Sequence, residues 1–383
     1  MGLLQEALAA LPPGDGPLRV KLLARLAEAH RPADAEAAAA LNRDALDMAL
    51  RVGDDDALIH ALAGRHAALL PEADPAERLA VSERWVALAA AGANREPLAL
   101  ALSWRIHDLA EAGDAAGARA AHERLGALAA ELRQALYLNF AVSWDVKWLA
   151  AAGRFAEAED QAREARRWSE KARTSYGTSL FAGQIFGLRR DQGRLEELLP
   201  IVERLMGGDP TLSAWRGGML LARIQAGDAE RAQAELSALA EHDFTSIRRD
   251  LFWLPAVCML GEAAALLGDT AAAAALHARL APHAARTAQA GLAFFLGPVE
   301  LFLGQLAATL GRDAEAERRF AAAEERSAAL GLRTAAVRAR CAHAELRLAR
   351  AGRAGLEAAA AEARALGMDA IARRAAEALG RAR

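Results

Sequence analysis

The chain has 383 residues, with 47 basic against 50 acidic side chains and a formal charge of −3, which excludes a nucleic-acid binder that works through bulk positive charge. Charged residues make up 25% and hydrophobic ones 54%, which marks a soluble globular chain and not a disordered one. About a quarter of all residues are Ala while Val, Ile and Thr are sparse, so the composition favours helix and disfavours strand. Two cysteines, Cys258 and Cys341, exclude a disulfide framework and a cysteine-based zinc site. The opening MGLLQEALAALPPGDG lacks the basic n-region and long apolar core of a signal peptide, and a cytoplasmic protein is expected.

Taken in chain order, a series of helix hairpins is predicted. First helices fall near 18–30, 55–70, 95–112, 133–152, 174–192, 211–226, 248–267, 293–310 and 333–351, each followed by a second helix, with a closing helix at 368–379. Between the two helices of a hairpin stands a Gly followed by a charged residue: Gly113-Asp114, Gly153-Arg154, Gly193-Arg194, Gly227-Asp228, Gly268-Asp269, Gly311-Arg312 and Gly352-Arg353. Gly ends a helix in the left-handed region without a Cβ clash, and Ala at the contact lets the two axes approach closely. Leu330-Gly331 and Leu366-Gly367 end second helices, and Gly53 and Gly92 look similar. Pro12-Pro13, Pro32, Pro71, Pro75, Pro97, Pro210 and Pro282 stand at or near the boundaries, and Pro255 and Pro298 near first-helix starts. The apolar stretch 291–311 contains Glu300, Gln305 and a Gly297-Pro298 break, which disfavour a membrane span. No linker rich in Pro, Gly or Ser divides the chain, so one all-α solenoid over 1–383, of about nine hairpins, is expected.

LGQLAATLGRDAEAERRFAAAEE resembles a tetratricopeptide (TPR) repeat through Leu303-Gly304, Gly311, Ala316, Phe320 and Ala323. Leu260-Gly261, Gly268 and Ala273 follow the same pattern with His277 in place of the aromatic, and the period of roughly 40 residues exceeds the usual 34. Segments 187–200, 248–269 and 296–320 resemble the helical C-terminal region of bacterial LuxR- and AfsR-type signalling ATPases. That resemblance implies a right-handed superhelix and a sensor or protein-interaction module of a transcription or signalling regulator. The chain itself carries no GxxxxGK[ST] phosphate loop.

No HExxH, GxSxG, CxxC or GxGxxG occurs, and no catalytic residue, metal or cofactor is implied. His60, His66, His277, His283 and His343 read as surface or capping residues, and Cys258 as a small packing residue. In the repeat register, with the turn Gly as position 15, position 5 reads Ser103, Ser143, Gly183, Gly217, Cys258 and Leu301. Position 9 reads His107, Lys147, Gly187, Leu221, Glu262 and Gln305; position 13 reads Glu111, Ala151, Asp191, Gln225, Leu266 and Thr309. The TPR resemblance turns first helices toward a concave surface. A groove is therefore expected along Ser103, His107, Ser143, Trp144, Lys147, Gly183, Arg190, Asp191, Gln225, Cys258, Glu262 and Gln305, holding a peptide, a protein or a small molecule. The competing reading is that small residues there only permit tight curvature.

Sixteen of the nineteen aromatics lie between Tyr137 and Phe302, as binding surface or as core filler. Gln161–Arg194 holds eight basic and three acidic residues, with Arg163, Arg166 and Arg167 on one face, either a site for an acidic partner or a solvated face. Direct nucleic-acid or membrane contact is not expected. The leading expectation is a non-catalytic binding module; a free-standing TPR scaffold and an unorthodox enzyme using the groove as its pocket are the alternatives.

Overall fold

The structure is a computed structural model that describes residues 2–30, 34–70, 75–208 and 215–381. Pro32, Pro71, Pro210 and the predicted helix start at 211–214 lie outside the described residues. The fold is all-α: 21 α-helices and a single two-stranded sheet among the described residues. No helix among them is long and apolar enough to cross a membrane.

Contacts group the helices into two compact units, residues 1–109 with 116–137, and residues 110–115 with 138–383. The division falls within the helix Glu96–Ala112, where no Pro- or Gly-rich stretch marks it. The predicted first helices are found at Pro17–His30, Asp55–Leu69, Glu96–Ala112, Ala135–Ala151, Gly177–Gln192, Trp215–Gln225, Trp253–Leu267, Val299–Thr309 and Arg333–Leu346, and the closing helix at Asp369–Arg381.

All seven turn glycines have positive φ, from 69° to 94°. Gly153 shows why. Its N–H reaches Ala150 O at 2.9 Å and the next N–H, of Arg154, reaches Leu149 O at 2.9 Å, which satisfies two carbonyls left open at the helix end. The same pair of bonds closes the helices at Gly193, Gly227, Gly268, Gly311, Gly331 and Gly367. Gly92 does not belong with them, because its backbone is extended (φ −74°, ψ 153°).

The charged residue after the glycine has two uses. At two turns the Asp caps the second helix: Asp228 accepts from Arg231 N–H at 3.4 Å and Asp269 from Ala272 N–H at 2.9 Å. Where it is Arg it pairs with a Glu one turn on, three residues away in Arg154–Glu157, Arg194–Glu197 and Arg312–Glu315 and four in Arg353–Glu357.

The main departure from the expected pattern is a β-hairpin where a helix was predicted from residue 293. Thr287–Ala290 and Phe294–Pro298 pair antiparallel, with Thr287 opposite Pro298, Ala290 opposite Phe294, and a bulge between Ala288 and Gln289. Every residue of both strands is buried. Two features keep the helix from starting before Val299. Gly297 sits at φ 120°, outside any helical region, and Pro298 follows at φ −58°, ψ 139°. The hairpin instead supplies Phe294, Phe295 and Leu296, bulky side chains that an alanine-rich helix would not bring to this interior.

The two turn types of glycine differ in what replaces them. A Cβ at Gly268 would meet nothing within 4 Å, so Gly268→Ala carries backbone strain alone and is expected to cost about 1–2 kcal/mol. A Cβ at Gly193 would stand 2.4 Å from the Ala370 Cβ, so Gly193→Ala is expected to cost distinctly more. Urea unfolding of both variants checks the order.

Candidate functional site

The polar interior of the second unit collects most of the residues singled out by the repeat register, and the hairpin sits over it. Lys147 Nζ donates to Gln289 Oε1 at 2.7 Å and to the hairpin-turn carbonyl Gly291 O at 2.6 Å. It also lies 3.9 Å from the centre of the Trp144 ring and 4.3 Å from that of Phe295. The side chain is fully buried, and burial pushes its pKa well below the usual lysine value, opposed only by Glu111.

Beside it runs a four-residue ion cluster. Arg190 Nη2 donates to Glu262 Oε2 at 2.5 Å, Arg338 Nη1 to Glu262 Oε1 at 3.2 Å, and Arg338 Nη2 to Asp191 Oδ1 at 3.0 Å. Arg338 also bonds Arg190 O at 3.0 Å. Burial alone would raise the Glu262 carboxyl, but Arg190 and Arg338 outweigh it and hold the group below its usual range. Two guanidiniums and two carboxylates make the cluster neutral. A third buried Arg, Arg286, bonds Glu111 Oε1 at 3.0 Å through Nε and donates through Nη1 to His283 Nδ1 at 2.8 Å. His283 therefore accepts at Nδ1, as a neutral imidazole does. Burial, then Arg286 and Arg249, push its pKa down to about 4, against a raising effect of Glu111.

The first unit has a cluster of its own. Buried Asp108 accepts from Arg78 Nε at 2.9 Å and pairs with His66 Nε2 at 2.8 Å. Burial would raise this carboxyl, but His66, His107 and Arg78 hold it far below the usual carboxylate range.

The twelve residues expected to line an open groove are not open. Ser103, His107, Ser143, Trp144, Lys147, Gly183, Arg190, Asp191, Cys258 and Glu262 are buried, and Gln225 and Gln305 are half-buried. Ser103 and His107 belong to the first unit and the other ten to the second. The small residues are small because a neighbour presses on them. A Cβ at Gly183 would come within 2.9 Å of the Ala293 Cβ, one at Gly187 within 2.5 Å of the Phe294 Cβ, and one at Gly217 within 2.8 Å of the Met259 Cβ. In the second unit the chain's own hairpin occupies the face that Lys147, Gly183 and Gly187 were expected to open to a ligand.

Other expectations need correcting. His66 and His283 are 1% and 2% exposed and are ion-cluster members, not surface or capping residues. His277 pairs with Glu315 at 2.9 Å and His343 with Glu324 at 3.1 Å. Arg163, Arg166 and Arg167 pair with Asp160 and Glu159, Glu170 and Glu164 on an exposed helix face, where such pairs contribute little. Three of the central aromatics pack against the hairpin: Trp148 lies 4.8 Å from Phe295, Trp144 6.3 Å from Phe295, and Phe186 5.6 Å from Phe294. Tyr176 and Phe252 remain exposed. Burial raises both cysteine thiols, that of Cys341 up to about 11, which disfavours a thiolate. Among the described residues no group of three or more His, Cys, Asp or Glu could hold a metal ion.

Sequence reasoning missed Arg286, Arg338 and Gln289. Arg338 carried a signal, a lone basic residue inside the apolar run Ala335–Ala339, whereas Gln289 and Arg286 depend on the hairpin. No protein-family model matches the chain, and no curated protein matches it.

Two measurements test this interior. Glu262→Gln leaves two buried guanidiniums short of a charge partner and is expected to cost about 3–5 kcal/mol in urea unfolding. For His283 the folded pKa lies below the unfolded value, so its contribution is complete above pH about 6.5 and is lost as the pH falls through about 4. The loss between pH 7 and 4 should be smaller in His283→Gln, whose amide oxygen can accept from Arg286 without titrating.

Proposed function

We propose that the chain is a non-catalytic helical-repeat interaction module, TPR-like and wound as a right-handed superhelix, of the kind that serves bacterial transcription and signalling regulators. The observation that carries the reading is the recurrence of one glycine-closed helix hairpin along the chain. The interior charges support it, since the carboxylates Glu111, Asp191 and Glu262 all face guanidiniums of the same chain and are committed to its fold.

With the hairpin seated over Lys147, the partner contacts the outside of this face. Phe252 is the aromatic placed for it, 42% exposed, with its ring 3.9 Å from where a Cβ on the hairpin-turn residue Gly291 would stand. Large exposed aromatics give contact area at low entropic cost.

A photocrosslinking residue at position 252 of the full chain, expressed in its native cell, is expected to give a discrete adduct with another protein. The same residue at Arg163, on the paired-charge face, is expected not to. Identical adduct patterns at the two positions would remove Phe252 from the interface. The purified chain is expected to leave ATP unhydrolysed, and sustained turnover would overturn the non-catalytic part of the reading.

A further inference from the structure

The seventh turn glycine is where the repeat breaks. Gly352 has φ 79° but ψ −173°, and its N–H makes one bond, to Leu348 O at 3.2 Å, in place of the paired closure seen at Gly153 or Gly311. The preceding first helix already ends at Leu346, with Arg347 at φ −90°, ψ −1° and a four-residue helix, Leu348–Ala351, after it. The predicted helix 333–351 is thereby split, and the chain swings out before Ala354–Ala365 begins.

The result is a cleft of about 410 Å³, inside the range of about 300–1,000 Å³ common for small-molecule sites. One wall carries Arg340, His343 and Arg347, at i, i+3 and i+7 on successive turns. The opposite wall is low, formed by Gly355, Ala358 and Ala359, with Glu362 as the sole carboxylate of the lining. Glu362 is already engaged, at 2.6 Å from Arg340 Nη2 and 3.5 Å from Arg333 Nε. His343 is engaged outward with Glu324. Arg347 is exposed and has no ion pair or side-chain hydrogen bond among the described residues. The cleft thus holds one guanidinium more than its own carboxylate can answer, above a floor of methyl groups and bare backbone.

We propose that this cleft is a binding site for a small organic anion, its carboxylate or phosphoryl group held by Arg347 and Arg340 and its compact apolar part lying on Ala358 and Ala359. A planar guanidinium presents paired donors to either group, and the low wall leaves room for a ring or short chain. The proposal stands apart from the hairpin interior and holds whether or not Phe252 meets a protein partner.

The test is calorimetry on the full chain at low ionic strength with phenyl phosphate, benzoate and the neutral benzamide. Saturable binding of one or both anions is expected at a Kd of about 1 mM or tighter, with none for benzamide. Preference between the anions then assigns a phosphoryl or a carboxylate ligand. Arg347→Gln is expected to weaken binding by about tenfold or more, and Arg347→Lys by less. Gly355→Leu should abolish it by filling the cleft, because a Cβ there meets only the Ala344 Cβ, at 3.8 Å, and the fold is left intact. Unchanged melting of Gly355→Leu secures that last reading. Equal binding of benzamide, no saturation by either anion, or binding indifferent to both Arg347→Gln and Gly355→Leu would each overturn the site.

Discussion

A lysine amine cannot be buried without acceptors, and Lys147 finds both of its own on the β-hairpin, at Gln289 Oε1 and Gly291 O. Much of the second unit follows from that contact. For the turn to reach Lys147, the hairpin has to lie against the helix Gly177–Gln192, which is possible only because Gly183 and Gly187 leave space for Ala293 and Phe294. Phe295 then comes to rest against Trp148 and Trp144, and Gly297 against Ala335. Where alanine and glycine predominate on the helix faces, the bulk that fills the interior comes from the two strands.

Lys147 and Arg190 are treated differently in this interior. Lys147 faces neutral acceptors and aromatic rings, and its charge is correspondingly disfavoured. Arg190 faces Glu262 and Asp191; burial works against its charge, but the carboxylates prevail and raise its pKa. The chemistry of the groups fits this division, since an ammonium can release its proton when desolvated and a guanidinium cannot. Buried pairs of this kind are poor sources of net stability, because desolvating the ions offsets most of their attraction. What they fix is geometry: Glu262 is bridged by Arg190 and Arg338, and so three helices, Gly177–Gln192, Trp253–Leu267 and Arg333–Leu346, are held at one point.

The helices and their turns were legible in the sequence because their causes are local. A glycine followed by a charge is a complete instruction for ending one helix and starting the next, and five of the seven turns, at Gly153, Gly193, Gly227, Gly268 and Gly311, show the same pair of closing bonds whether Asp or Arg follows. The hairpin was not legible. Its strand residues, Thr287–Ala290 and Phe294–Pro298, include three alanines or glycines and only one β-branched residue, so propensity offers little beyond Phe294 and Phe295 to mark a strand. Burial between helices selects it. The same blindness explains the groove. Ser143, Gly183 and Cys258 share a register position and are indeed all small, but the register cannot say whether the space beside a small residue holds solvent, a ligand or another part of the chain.

The distance along the chain between Lys147 and its acceptors bears on how the protein is made. Lys147 and Gln289 are 142 residues apart, and Arg338 lies 148 residues from the carbonyl of Arg190 that it bonds. Helix pairs closed by glycine turns form from neighbouring sequence and fold early, but the interior they surround stays open until the hairpin has been synthesised. At about 5–20 residues per second, the 142 residues between Lys147 and Gln289 take on the order of 7–30 s to synthesise, and for that time the Lys147 face is uncovered on the ribosome. During that interval the nascent chain exposes an aromatic and basic surface that the finished protein hides.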